Sequence, residues 1–252
     1  MIPSIPVKFK NATKILDLQL KLPKIFGSWF WILNDSNFFR SDYFKNLMVF
    51  LFTGYRDSDK TFRPRDKFSI FKALRECDAD YCHTVIVTEF PPLSDKSSGI
   101  GLGNKSSTPP YAYTQEALIF KNAIIKNLYD GQLNLHFDIS LKDAANNGVL
   151  FLNTALTCTT ENKRAHEKYW EPFIAHLLSK YETLYADKVF VFIGEAKKFA
   201  KYIDQTYHHV LIEEQGIDEC VRLNKIWNTD IFSRTQKKLI ETDDLFKKLP
   251  FI

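Results

Sequence analysis

Four apolar residues, Val149 to Leu152, run without a polar partner in the stretch N-G-V-L-F-L-N-T-A-L-T, Asn147 to Thr157. Such a run predicts a strand buried on both faces, as in the middle of a parallel sheet. Lys188 to Ile193 (K-V-F-V-F-I) repeats the pattern, Thr84 to Val87 (T-V-I-V) is a β-branched run, and His208 to Ile212 reads as a further strand. Between them the period changes. Tyr43, Phe44, Leu47, Met48 and Leu51 follow helical spacing, which predicts a helix over 41–53 that starts at Ser41 and Asp42 and stops at Gly54. The same spacing predicts a helix from Asp66 to Leu74 with Phe68, Phe71 and Leu74 on one face, and another from the N-cap Thr114 to about Leu128. His166 to Tyr181 forms a helix with Trp170, Phe173, Ile174, Leu177 and Leu178 inward. A short helix follows Gly194 as far as Tyr202, and a last one covers Phe232 to Leu245. Polar loops are expected over 56–65 and 94–107.

Strands and helices thus alternate from residue 84 to 245, the order of an α/β protein with a parallel sheet. Neither an internal repeat nor a linker interrupts the 252 residues, so one domain is expected over 1–252. Residues 1–40 read as an N-terminal arm packed on it. There Ile15 to Leu22 alternates apolar and polar like a short strand, and the aromatic cluster around Trp29 and Trp31 docks on the body.

Composition changes this picture little. Hydrophobic content of 45% and charged content of 25% are ordinary for a globular domain, while 22 Phe and 11 Tyr point to an aromatic core. A net charge of +4 permits a polyanionic partner without requiring one. Cys77, Cys82, Cys158 and Cys220 form no C-x-x-C pair and no zinc spacing. Reduced thiols in an intracellular compartment, cytoplasm or nucleus, are the simplest expectation. Neither a signal peptide nor a membrane span is expected, since no apolar run approaches the required length. No metal and no cofactor are expected. His136 and His166 lack metal partners at useful spacing and read as core or surface histidines.

Chemistry is expected where the strands end, because ligands in open α/β sheets bind beyond their carboxyl ends. Asn153 stands at such an end. Its amide offers a donor and an acceptor suited to the edge of a nucleobase, and it equally suits a turn cap. Gly99, Gly101 and Gly103 hint at a backbone cradle for an anion, although they fit neither the dinucleotide nor the Walker spacing.

The order of these pieces resembles the main uracil-DNA glycosylase family from about residue 29 onward. Y-F-K-N-L-M (Tyr43 to Met48) is similar to that family's first long helix, and V-I-V (Val85 to Val87) to the strand before its catalytic loop. Pro109 and Pro110 resemble its proline-rich phosphate-contacting loop. G-V-L-F-L-N is close to its G-V-L-L-L-N strand, and A-H-E-K-Y-W-E-P-F to the helix that follows it. V-F-V-F-I-G, H-H-V-L and F-S-R-T-Q-K-K-L look like its later strands and last helix. The resemblance implies a three-layer α/β/α fold around a central, mainly parallel four-stranded sheet.

It also implies a chemistry: uracil is flipped out of DNA and its glycosidic bond hydrolysed. In the family an Asp in a D-P-Y-H loop supports the cationic sugar, a Tyr rejects thymine, a Phe stacks on uracil, an Asn reads its edge, and a His bonds the developing anion. Of these five residues only the Asn is kept on this chain, as Asn153. The Asp falls on Phe90. Pro91 matches the loop's Pro, and Pro92 replaces its Tyr. The stacking Phe falls on Asn104, or on Gly103 with no gap, and the His falls on Gln215. The wedge Leu falls near Glu219, or on Leu223 if the loop is longer. Glu89 is the fallback acid, but neighbouring residues on an extended segment point to opposite sides. Losing one oxyanion donor alone costs about 10²–10³ in rate.

The expectation is therefore a non-catalytic homologue that binds DNA or a protein partner in replication or repair, of viral source if the Lys-, Asn-, Phe- and Ile-rich composition is a guide. A divergent active glycosylase is the alternative. Asn153, Pro91, Pro92 and Asn104 would line the remnant of the base pocket. Lys96, Lys105, Ser106, Ser107, Arg222, Lys225, Arg234, Lys237 and Lys238 are the candidate DNA contacts, or else a solvated basic surface.

Overall fold

A computed structural model describes residues 21–57, 61–132, 137–242 and 249–251. Expectations for 1–20, among them most of the alternating Ile15 to Leu22 stretch, and for His136, lie outside these. Helix α1 covers 21–26 and α2 covers Trp29–Asn34. Helix α3 is Asp42–Asp57, β1 is Phe62–Arg63, α4 is Lys72–Glu76 and β2 is Thr84–Thr88. Next come α5 (Gln115–Leu128), α6 (Lys142–Asn146), β3 (Val149–Asn153) and β4 (Cys158–Thr159). The chain continues with α7 (Glu167–Leu184), β5 (Val189–Ile193), a 3-10 helix (Gly194–Tyr202) and β6 (His209–Glu213). Helices α8 (Ile217–Leu223) and α9 (Ile231–Thr242) complete the order.

The main sheet has the order β3-β2-β5-β6 and is parallel throughout. All four carboxyl ends therefore reach one edge. Helices cover both faces, giving the three layers expected. Phe151 pairs with Ile86 and Phe190 with Val85, one row apart, so the pleat sends them to opposite faces. Phe151 meets Phe120 of α5 and Phe251, whereas Phe190 meets Tyr181 of α7. Asn153, two residues after Phe151, shares its face. β2, β3 and β5 are buried at every position, as their unbroken apolar runs require. β3, expected in the middle of the sheet, is instead its edge strand and, among the described residues, pairs only with β2.

Several local expectations are corrected. Helix α3 runs through Gly54 to Asp57; Gly54 does not end it but admits the Phe62 ring, which would lie 2.4 Å from a Cβ placed there. The loop expected over 56–65 instead contains β1, which pairs antiparallel with β4. Asp66 does cap a turn, its carboxylate accepting from Phe68 N at 2.9 Å, but that turn is a 3-10 segment, Lys67–Ser69, and α4 starts only at Lys72. Phe68 consequently points to solvent while Phe71 and Leu74 are buried. Trp29 docks as expected, donating to Cys77 O at 2.7 Å, yet Trp31 is 73% exposed. Lys21 and Leu22 are helical, not extended. The segment after Gly194 is 3-10, and β6 lies one residue later than expected because His208 turns inward toward Glu182 O at 3.0 Å.

Candidate functional site

The edge formed by the carboxyl ends of β2, β3, β5 and β6 carries the residues of interest. β2 and β3 are tied just past their ends. Thr154 donates from N and from Oγ1 to Glu89 O, at 2.7 and 2.6 Å. Asn153 is paired in register with Thr88. The Thr88 hydroxyl lies 2.5 Å from Asn153 Oδ1, and Asn153 Nδ2 donates to Gly101 O at 3.2 Å. Both ends of the amide are thus satisfied within the chain, and the residue is only 6% exposed.

The loop carrying Gly101 lies directly on the sheet. Gly99 and Gly101 have positive φ, and Cβ atoms there would meet Ser69 O at 2.4 Å and Phe151 Cβ at 2.9 Å. A Cβ on Gly103 would meet Ser140 O at 2.6 Å. These glycines let the loop backbone pack closely on the Ser69 and Ser140 backbone and on the Phe151 side chain. Gly99 N and Gly103 N donate to Ser97 Oγ and Ile100 O, so these two amides do not form the expected anion cradle. The recess left beside Asn153 is lined by Pro64, Ile70, Pro91, Gly99, Phe151 and Leu156, among others, and holds only about 20 Å³. That is room for one water molecule, not a pyrimidine ring.

The other residues expected from the sequence resemblance to line a base pocket are dispersed. Pro91 lines this recess. Pro92 is buried. Asn104 is fully buried and clamps a loop, accepting from Thr114 N at 2.8 Å and donating to Thr114 Oγ1 at 3.2 Å. Phe90, on which the sequence resemblance places the family's acid, is 3% exposed, with the Arg164 guanidinium 5.1 Å from its ring centre. Gln215 accepts from Trp227 Nε1 at 3.1 Å through its backbone carbonyl.

Glu89 turns toward β5 and β6. Its carboxylate accepts from Asp218 N at 2.9 Å and from the Glu195 backbone, so it bridges the first turns of α8 and of the 3-10 helix. Gly194 and Gly216 make the room for it, since a Cβ on either would sit within 2.5 Å of a Glu89 oxygen. Burial raises its pKa, Asp218 adds to this, and the backbone hydrogen bonds oppose it.

Sequence reasoning missed the cluster that closes the edge. Lys163, on the loop after β4, bonds Glu116 at 2.7 Å and Asp218 at 2.5 Å, joining the first turns of α5 and α8. Burial works against its ammonium, but the two carboxylates outweigh it and hold the pKa above its usual value. Burial raises the Asp218 carboxyl despite Lys163. Neighbouring Arg164 pairs with Glu195. Burial pushes the nearby Cys158 thiol up to about 12, so it stays neutral. No group of three or more His, Cys, Asp or Glu able to hold a metal occurs among the described residues.

The candidate DNA contacts differ in freedom. Lys105, Ser106, Ser107, Arg222, Lys225 and Lys237 are exposed. Lys96 donates to Ala112 O at 2.8 Å, Lys238 pairs with Glu241, and Arg234 pairs with Asp230. Leu223 is partly exposed, and Ile226 more so. Ile226 edges a recess of about 330 Å³ between α5 and α8, with Leu118, Lys126, Lys225 and Trp227.

No protein-family model and no curated protein matches the sequence. Solved structures do match. Mimivirus uracil-DNA glycosylase superposes with a TM-score of 0.69 at 16% identity, over 98% of this chain and 94% of its own. Its Y322F variant in complex with UGI gives 0.69 at 16% identity, over 97% and 96%. The UNG of Nitratifractor salsuginis gives 0.57 at 16% identity, over 85% and 94%. At such identities the likeness carries the backbone and nothing of the chemistry: this chain has the fold of the uracil-DNA glycosylases.

Proposed function

We propose that this chain is a uracil-DNA glycosylase-fold protein that does not excise uracil and instead binds DNA in replication or repair. One observation carries the reading. The recess at Asn153 has about 20 Å³, and the amide that should read a base is already bonded to Thr88 and Gly101. The absence of acid and imidazole at Phe90 and Gln215 supports it. So does the use of Glu89, which holds two helix starts together at the far side of the edge. A carboxylate fixed by those bonds has no freedom to orient a water at a sugar.

The test is incubation of the protein with single-stranded DNA containing uracil, followed by alkaline cleavage at abasic sites. The expected result is no cleavage above the protein-free blank. Excision that disappears in Glu89→Gln and Asn153→Ala would sink the proposal and restore the divergent glycosylase. A protein partner is the second reading. The recess beside exposed Ile226 favours it, as does the complex of the mimivirus enzyme's variant with UGI. Absence of any DNA affinity at low salt would leave that reading in place.

A further inference from the structure

The segment from Asn104 to Thr114 is a loop bolted at its base and bare at its tip. At the base, Asn104 and Thr114 exchange two hydrogen bonds, and Asn104 N donates to Ile139 O at 2.8 Å. Thr114 caps α5, accepting from Ala117 N at 3.3 Å, and Lys96 Nζ holds Ala112 O at 2.8 Å. The tip folds on itself in two turns, Thr108 N to Lys105 O at 2.8 Å and Ala112 N to Pro109 O at 2.9 Å. Pro109 and Pro110 fix φ across the second turn. Lys105, Ser106, Ser107, Pro109, Pro110 and Tyr111 are all exposed, and no acidic residue occurs from Asn104 to Gln115. Tyr111 is 92% exposed.

We propose that Tyr111 is a stacking platform for a base of single-stranded DNA, with Lys105 and the hydroxyls of Ser106 and Ser107 holding the adjoining phosphates. The proposal rests on the DNA-binding reading and names where that binding reads a base. A flat ring in water on a rigid turn loses little freedom when a base lies on it. Every base has a π-face, so such a contact tolerates any sequence. Placement agrees. Gly101, in the loop before this one, touches Asn153, so the platform stands at the carboxyl-end edge where α/β sheets take ligands. Tyr81 and Tyr207, also exposed, precede β2 and β6 and lie at the opposite end of the sheet. Neither has a flanking lysine and hydroxyl run: Tyr81 is preceded by Asp78 and Asp80, Tyr207 by Asp204.

The experiment is fluorescence anisotropy with labelled oligo-dT of about 15 nucleotides, within the range of sites such grooves cover. A second oligomer of equal length carries abasic residues in place of the bases. The wild type is expected to prefer oligo-dT, and Tyr111→Ala to lose roughly 5- to 150-fold in affinity for it. The abasic oligomer should bind both proteins alike. Tyr111→Phe keeps affinity within about twofold, because stacking needs the ring and not the hydroxyl. Lys105→Ala lowers the slope of log affinity against log salt by about 0.7, one phosphate of a single strand, and leaves the preference for bases intact. Tyr111→Ala binding oligo-dT as tightly as wild type overturns the platform alone. So does an equal loss on both oligomers. A wild type without affinity for either at low salt overturns the DNA-binding reading with it, whatever the excision assay gives.

Discussion

Asn153 was legible in the sequence as an amide at a strand end, and its resemblance to a uracil-reading residue was legible too. Its actual partners were not, because Gly101 O comes from 52 residues away along the chain and Thr88 from the neighbouring strand. A residue type tells what groups are offered; only packing tells who takes them. Here the chain takes both. Replacing Asn153 by Ala leaves Gly101 O without its donor and Thr88 with only Leu152 O, at 3.3 Å, in a buried place. An unpaired buried polar group costs about 1–3 kcal/mol. Urea unfolding of Asn153→Ala should show a loss of that order, while its affinity for single-stranded DNA stays within about twofold of wild type. Weakened binding without lost stability would return the amide to the role of ligand reader. The Tyr111 side chain presents the opposite case. Its position after Pro109 and Pro110 was plain in the sequence, but its exposure depends on the clamp by Asn104 and Lys96.

At the scale of elements, alternation of apolar runs and helical spacing located the core strands and the long helices. What it missed are pieces whose cause lies elsewhere in the chain: β1 and β4, which exist by pairing with each other, and the short helices α6 and α8. Helix α8 begins at Ile217 where Glu89 receives its second amide, at Asp218 N. A carboxylate at a helix start is favourable both as an acceptor and through the helix dipole. Gly216 is required only to let Glu89 in. Its φ of −79° and ψ of 151° suit any residue, and the three nearest atoms to a Cβ there all belong to Glu89. Gly216→Ala must therefore push the Glu89 carboxylate off Asp218 N, losing a charge-assisted hydrogen bond of about 1.5–3 kcal/mol. In a Glu89→Ala background the same change has nothing left to displace and should cost close to nothing. Unfolding measured on the wild type, both single variants and the double variant gives the coupling directly. Additive losses would mean that Gly216 is held for some reason other than Glu89.

The molecule as a whole has an aromatic interior, as 22 Phe and 11 Tyr implied, and one buried histidine there sets a pH dependence that no sequence pattern discloses. His166 stands where α3, α7 and the β1–β4 pair meet, its ring 4.3 Å from that of Phe62 and 4.9 Å from that of Phe50. Trp170 Nε1 can only donate, and it donates to Thr157 Oγ1 at 2.7 Å. The same hydroxyl lies 3.0 Å from His166 Nδ1 and can bond it in either ring tautomer. Burial pushes the pKa of His166 down to about 4 from 6.5, against the opposing effect of a hydrogen bond to the Thr157 backbone. The unfolded chain takes up this proton near pH 6.5, whereas the folded chain resists it until about pH 4. Between these values the unfolded state binds more protons, so acidification lowers stability over this window and the loss levels off below it. Glu89 and Asp218 act in the opposite sense, because their raised folded pKa values make protonation favour the folded state. The wild-type profile alone therefore mixes signs, and the imidazole is isolated by comparison with His166→Gln, which cannot titrate. Thermal unfolding midpoints of the two proteins should differ by a constant amount above about pH 7. From pH 6.5 to 4 the wild type should lose ground steadily against the variant, and below pH 4 the gap should again be constant. A gap that stays the same from pH 7 to pH 4 would show that His166 charges as readily in the folded protein as outside it, and would remove the buried neutral imidazole from the account of this core.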